Sequence, residues 1–260
     1  LNPSSAASDV YKRQLYLIRR LIRLLRHSNN FDLIVVVGDV IPVIAAWLSR
    51  RPVATYLVAY SSHYEGRLRL PWPCGRLLRS RRFLAVFSRD QLTADDLSEQ
   101  LKRPVNFLGN PFMDPVLTPV PPLPLVGYRI GLLPGSRRPE LESNLQLLLQ
   151  LMGNLPPSET LHADLALVAG LDDTALQKIA ESVGWQLNNG ALEQSGAPSV
   201  QVRRGSFQAV LQHSDLVIGM AGTAVEQAVG LAKPVLQLPG QGPQFTKAFA
   251  EAQRLSLIHI

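Results

Sequence analysis

From residue 15 to residue 27 the apolar positions Leu15, Ile18, Leu21, Ile22 and Leu25 return every three or four residues, with Arg19, Arg20, Arg23 and Arg26 between them. That period is helical and predicts a basic amphipathic helix. Short apolar runs then alternate with helical stretches. Strands are predicted at 32–37, 53–59, 83–87 and 105–108, with a helix at 41–49, another opening at Thr93, and a loop rich in Arg, Pro and Trp after the second strand. Such alternation indicates parallel βαβ units. The segment from Asn110 to Pro124 carries six prolines; it reads as a stiff extended connector that cannot be helical.

Beyond the connector the rhythm restarts. Strands are predicted at 129–133, 163–168, 200–203, 216–220 and 235–238, and helices at 139–152, 174–183, 207–212, 224–230 and from about Gln244. The fold class that follows is α/β, two Rossmann-like domains with doubly wound parallel sheets. Their expected bounds are 15–109 and 127–255, joined by a linker at 110–126. Residues 1–14 and 256–260 fit no neighbouring pattern and resemble translated sequencing-adapter sequence, so they are set aside as non-native tails. On that reading the frame is a fragment and its first domain is truncated.

Composition narrows this picture only a little. The chain has 260 residues, 46% of them hydrophobic and 18% charged, enough apolar material for two modest cores. A net charge of +6, carried mostly by arginine, favours anionic partners. Nucleic acid is not expected, because no aromatic stacking platform accompanies the basic residues. For the helix at 15–27 two readings stand: contact with an anionic membrane surface, or the solvated face of an ordinary domain helix. The apolar stretch 33–48 is broken by Gly38, Asp39 and Pro42 and is shorter than the roughly 20 residues of a spanning helix. The single cysteine, Cys74, excludes an internal disulfide and a multi-cysteine zinc site, and fits a cytoplasmic setting.

Three strand-edge loops could carry chemistry. In Leu133-Pro134-Gly135-Ser136-Arg137-Arg138-Pro139-Glu140, Gly135 lets the backbone approach a ligand, Ser136 can cap the following helix, and Arg137 offers a forked donor to a diphosphate. In Gly219-Met220-Ala221-Gly222-Thr223-Ala224-Val225-Glu226, the small residues Ala221, Gly222 and Thr223 make room beside a helix start, and Glu226 could bind ribose hydroxyls or simply complement the helix dipole. The third loop, Pro239 to Phe245, offers Gln241 and Gln244. Plain capped turns remain the alternative for each loop taken singly. Together they line one sheet edge, where ligands of open α/β sheets collect.

GLLPGSRRPE followed by a leucine-rich helix, then HSDLVIGMAGTAVEQAVGLAKPVLQLPG, resembles the carboxyl-terminal domain of the lipid-A-disaccharide synthase family, most closely its synthase-related subgroup. Residues 107–114 look like that family's interdomain segment. The resemblance implies a GT-B glycosyltransferase, inverting and metal-independent, with no cofactor. It would move an acylated glucosamine from a UDP-sugar to a lipid-linked or phosphorylated glucosamine, with peripheral contact at the inner face of the cytoplasmic membrane. It further implies donor binding by Gly135, Ser136, Arg137, Gly219, Ala221, Gly222, Thr223, Glu226 and Gln241. The family carries two aspartates around a proline in the loop after an amino-domain strand; here Gly38-Asp39-Val40-Ile41-Pro42 keeps only Asp39, displaced by one position. Asp39 is then the candidate base, or a helix cap, with His63 and Glu65 as alternatives. Two other functions remain open: a UDP-N-acetylglucosamine epimerase, or an inactive sugar-nucleotide-binding homologue.

Overall fold

A computed structural model describes residues 16, 18–38, 40–58, 61–62, 66–124, 127–138, 140–220 and 222–238. It divides into two units, 1–110 and 111–260.

In the first unit, residues 18–27 are helical. The amphipathic stripe is only partly buried: Leu21 and Leu25 are half-buried, as is Leu24 beside them, whereas Ile18 and Ile22 stay in solvent. Four parallel strands follow, β1 (Ile34–Val37), β2 (Val53–Leu57), β3 (Phe83–Ser88) and β4 (Asn106–Phe107), adjacent in that order. Right-handed crossovers that keep stepping in one direction put their helices on one face of the sheet. There α1 (Val40–Leu48) and α3 (Gln91–Leu101) pack Val43, Ala46, Ala94 and Leu97 in one cluster with Val53, Leu57 and Val86. On the other side of β1, Val35 and Val37 are 68% and 67% exposed.

The stretch expected as a loop after β2 is partly core. It holds a short helix, α2 (Cys74–Leu78), and buries Leu68, Cys74 and Leu78 completely. Pro71 and Pro73 interrupt any helical period before it, and five residues are too few to show one. Helix α3 starts two residues earlier than Thr93 because Asp90 caps it, its carboxylate accepting from the Thr93 amide at 2.7 Å.

Among its described residues the second unit has seven strands: β5 (Tyr128–Leu133), β6 (Leu161–Leu167), β7 (Gln186–Asn188), β8 (Ala191–Glu193), β9 (Val200–Arg204), β10 (Leu216–Gly219) and β11 (Val235–Gln237). Their spatial order is β11-β10-β5-β6-β9-β8-β7, parallel from β11 to β9. The chain therefore steps outward from β5 to β6 and β9, then returns to the other side of β5. Reversing direction moves the crossover helices to the opposite face. Helices α5 (Glu140–Gly153) and α6 (Asp173–Glu181) share one apolar cluster with Leu132 and Leu165; α7 (Phe207–His213) and α8 (Thr223–Gly230) share another with Leu133, Ala166 and Val217. Neighbours such as Leu132 and Leu133 thus serve opposite layers, and β5 is buried from Arg129 onward.

The β7–β8 hairpin was not expected. It pairs antiparallel around Asn189 and Gly190, whose φ values of 49° and 80° are those of a two-residue hairpin turn. The proline-rich stretch also departs from expectation, since it contains a turn of helix, α4 (Asp114–Leu117). Pro115 falls in the first helical turn, where a missing N–H breaks no bond. Val116 is buried, and Gln212 of α7 donates to the carbonyls of Val116 and Thr118 while accepting from the Val120 amide. The prolines stiffen the segment, but side chains of α7 fix its course.

Beneath the sheet, Asp164 of β6 holds two arginines from neighbouring strands. Arg129 on β5 pairs with one carboxylate oxygen and Arg203 on β9 with the other, the latter at 2.6 Å. Arg129 also donates to the Pro124 carbonyl at 2.6 Å, so the charge cluster anchors the end of the proline-rich segment.

Candidate functional site

Among the five parallel strands the order reverses once, between β5 and β10, and at such a reversal the crossovers leave in opposite directions, the place where ligands of open α/β sheets bind at the carboxyl edge. The register places Leu133 opposite Gly219, so both strands end on the same rung. The Pro134–Arg138 loop and the loop that leads into α8 consequently start side by side. These motifs lie 84 positions apart in sequence, counting from Gly135 to Gly219; the sheet brings them together.

On the β5 side the chain turns at Gly135, with φ at 92° and no heavy atom within 4 Å of where a Cβ would stand. Gly135, Ser136 and Arg137 are all exposed. The cap expected at Ser136 falls one residue later, since the Arg137 carbonyl accepts from the Leu141 amide at 2.7 Å. Ser136 is thereby left on the loop and not on the helix. Arg138 faces Glu142 at 3.6 Å, an exposed helical pair of little energetic weight.

On the β10 side, Gly222 adopts φ 130° and ψ −175°, a conformation closed to side-chain-bearing residues, and immediately precedes α8. Its carbonyl accepts from the amides of Val225 and Glu226 at 3.0 and 3.1 Å. Helix geometry leaves the amides of Thr223 and Ala224 without an acceptor inside the helix. With the helix dipole they favour an anion at this edge. Glu226 is half-buried one turn into α8. Thr223 itself is exposed at the first helical position.

The structure thus brings together Gly135, Ser136, Arg137, Gly219, Gly222, Thr223 and Glu226. Ala221 and Gln241 lie outside the described residues, as do Gln244 and the candidate acid-base residues Asp39, His63 and Glu65.

One residue of this site had not been singled out. Asn144 lies on α5 among Leu141, Leu145, Leu148 and Leu149, is 5% exposed, and donates from Nδ2 to the Pro134 carbonyl at 3.0 Å. The signal was a polar residue placed at the i+3 position of an otherwise leucine stripe.

In the first unit, the carboxyl ends of β2 and β3 carry a hydroxyl and carboxylate network. Ser61 donates to Asp90 at 2.8 Å, and Asp96 accepts from the Ser62 hydroxyl at 2.8 Å, the Leu68 amide at 2.7 Å and Gln100 at 2.8 Å. Burial alone would raise the Asp96 pKa; those hydrogen bonds and the nearby Arg67 outweigh it and hold the carboxyl below its ordinary range. Tyr56 moves the other way. Burial raises its phenol, with Asp90 adding to the rise and Arg89 opposing it. A cavity of about 630 Å³ lies elsewhere, against the β7–β8 hairpin, lined by Gln186, Asn188, Glu193 and Gln194 among others. It is separated from the β5–β10 edge by β6 and β9 and shares none of the residues above.

No family model and no curated protein matches the chain. Solved structures do. A protein from Listeria monocytogenes assigned as a UDP-N-acetylglucosamine 2-epimerase superposes with a TM-score of 0.56 at 17% identity, over 92% of this chain and 65% of its own. UDP-GlcNAc 2-epimerase from Neisseria meningitidis, solved with UDP-GlcNAc bound, gives 0.51 at 17% identity, over 93% and 67%. MnaA of S. aureus, solved with UDP, gives 0.53 at 13% identity, over 92% and 70%. At such identities the likeness is one of fold, and the chain spans about two thirds of the length of these proteins. The fold is α/β with parallel sheets, of the GT-B kind.

Proposed function

We propose that the second unit binds the UDP part of a sugar nucleotide at the β5–β10 edge and that the chain belongs to a sugar-nucleotide enzyme. The observation that carries this reading is the meeting of the Pro134–Arg137 and Gly222–Glu226 loops where the order of the parallel strands reverses. In this reading Gly135 and Gly222 give the diphosphate close access to the backbone, Ser136 and Arg137 donate to its oxygens, and the amides of Thr223 and Ala224 complete the cradle. Glu226 takes the ribose hydroxyls. Gly219, Ala221 and Gln241 belong to the same donor set by motif. UDP and UDP-GlcNAc in the structures of similar fold support the choice of ligand class.

The reaction we favour is glycosyl transfer. Charge that develops on a leaving diphosphate is stabilised by donors already in place, here Ser136, Arg137 and the helix amides. The attacking hydroxyl needs a base, for which Asp39 is proposed. The acceptor class is a lipid-linked or phosphorylated glucosamine, and the exposed arginines and isoleucines of 18–27 suit contact with an anionic membrane surface. No helix among the described residues is long and apolar enough to cross a membrane.

A second reading, epimerisation of a UDP-N-acetylamino sugar, is favoured by the names of two of the similar structures. Calorimetric titration with UDP tests the shared premise. Binding weakened at least tenfold by Arg137→Ala is expected, a loss of about 1.5–3 kcal/mol for a hydrogen bond to a charged group. Absence of UDP binding to the wild-type chain would sink both readings. Incubation with UDP-GlcNAc then separates them: UDP released only with an acceptor marks a transferase, and a C2-inverted UDP-sugar formed without one marks an epimerase. An inactive binding homologue would give neither product.

A further inference from the structure

A leucine stripe on a buried helix face gains nothing from an asparagine. Asn has a lower helix propensity than Leu and buries less apolar surface. Yet Asn144 sits in that stripe, 5% exposed, between Leu141 and Leu145 on α5. Its Nδ2 donates to the carbonyl of Pro134, itself buried, at 3.0 Å.

The peptide that follows Pro134 turns this bond into a statement about the crevice. A trans peptide is planar, and its C=O and N–H point in opposite directions. The Pro134–Gly135 bond is trans, because the one cis bond among the described residues is Trp72–Pro73. With the Pro134 oxygen drawn back onto α5, the Gly135 N–H is turned outward. Gly135 is exposed, and among the described residues no acceptor takes that N–H. Pro134 supports the arrangement in a second way, since its ring fixes φ and it has no N–H of its own to compete for Asn144.

We infer that Asn144 is a positioning residue for ligand binding: it locks the Pro134–Gly135 peptide so that the Gly135 amide donates to a diphosphate oxygen in the β5–β10 crevice. The inference rests on the UDP-binding reading above and adds to it the particular donor and the side chain that aims it. Asn144 touches no ligand. Its action passes through one peptide plane.

Asn144→Asp tests this with little change in shape. As a carboxylate the new side chain cannot donate to the Pro134 oxygen and repels it; protonated, it donates again. UDP affinity of the folded variant is expected to fall at least tenfold below wild type at pH 8. The deficit should shrink toward pH 5 as the buried carboxyl takes up its proton, with the wild-type profile over the same range as reference. A merely structural role would lower the melting temperature and leave the affinity of the folded protein alone, which would overturn the inference. If the variant does not fold, the wild-type amide resonance of Gly135 decides. It should move downfield on titration with UDP and with pyrophosphate but not with uridine, and a Gly135 resonance unmoved at saturating UDP would refute the assignment. Wild-type protein that fails to bind UDP at all removes the underlying reading and this inference with it, a result distinct from UDP binding that ignores residue 144.

Discussion

Leu133 and Gly219 stand opposite each other on the last shared rung of β5 and β10, and a Cβ at position 219 would lie 3.0 Å from the Leu133 Cβ and 3.3 Å from its carbonyl oxygen. A side chain there is admitted only if Leu133 gives way by a few tenths of an ångström. Gly219→Val is therefore expected to destabilise the protein by about 1–3 kcal/mol, the usual range for overpacking. The same strain acts on both loops of the crevice, so UDP affinity should fall together with the urea midpoint. A valine variant that binds UDP normally would show that the rung does not shape the site.

Asp164 pairs with Arg129 and Arg203 at once, and its side chain is 1% exposed. Asp164→Ala leaves two guanidinium groups facing a buried gap, a change that typically costs about 3–5 kcal/mol. Urea denaturation should register that loss. Loss below about 1 kcal/mol would mean that the arginines relax into solvent.

Asp96 gives the first unit a defined response to acid. Its folded pKa lies below the unfolded value, so on acidification the unfolded chain takes up this proton first. The stabilising contribution is complete above the unfolded carboxylate range, near pH 4, and is lost as pH falls through the lower folded value. Asp96→Asn should flatten the acid limb of a stability profile recorded between about pH 5 and 2 and leave its neutral limb parallel to wild type. Equal acid slopes would exclude Asp96 as a contributor.

Gln212 fastens the proline-rich segment by three hydrogen bonds, at 2.8 Å to Val116, 2.6 Å to Thr118 and 3.1 Å from Val120. The bonds are part-buried or exposed, so each contributes about 0.5–1.5 kcal/mol. Gln212→Ala should open residues 112–121 to limited proteolysis before the rest of the second unit is cut. Cleavage rates equal to wild type would show that the prolines alone fix the path.

Much of this architecture was legible in the chain. Central strands of a parallel sheet are covered on both faces, so β5 and β6 end in apolar runs, Ile130 to Leu133 and Leu165 to Leu167, even though Arg129 and Asp164 interrupt the pattern nearer their starts, and the heptad-like leucines of α5 announce a helix without help from its neighbours. The β7–β8 hairpin carries its own marker, the Asn189-Gly190 turn, but it joins two three-residue strands too short to alternate visibly. Helix α2 offered no marker, because prolines precede it and its stability comes from burying Cys74 and Leu78 in a tertiary core. Helix α4 was excluded on proline count, although proline is excluded only from helix interiors.

The alternation of strands and helices and the glycine-bearing loops at strand ends are legible in the chain alone, because both depend on local periodicity and on backbone conformations that few residues adopt. Which loops face one another was decided only by the tertiary structure. Strand order arises from the crossover direction taken after β9, and that depends on which helix faces find partners across the sheet. Asn144 shows the same division at the scale of one bond: its place in the leucine stripe is written in the chain, but the Pro134 carbonyl it holds lies ten residues away and meets it only because β5 and α5 pack together.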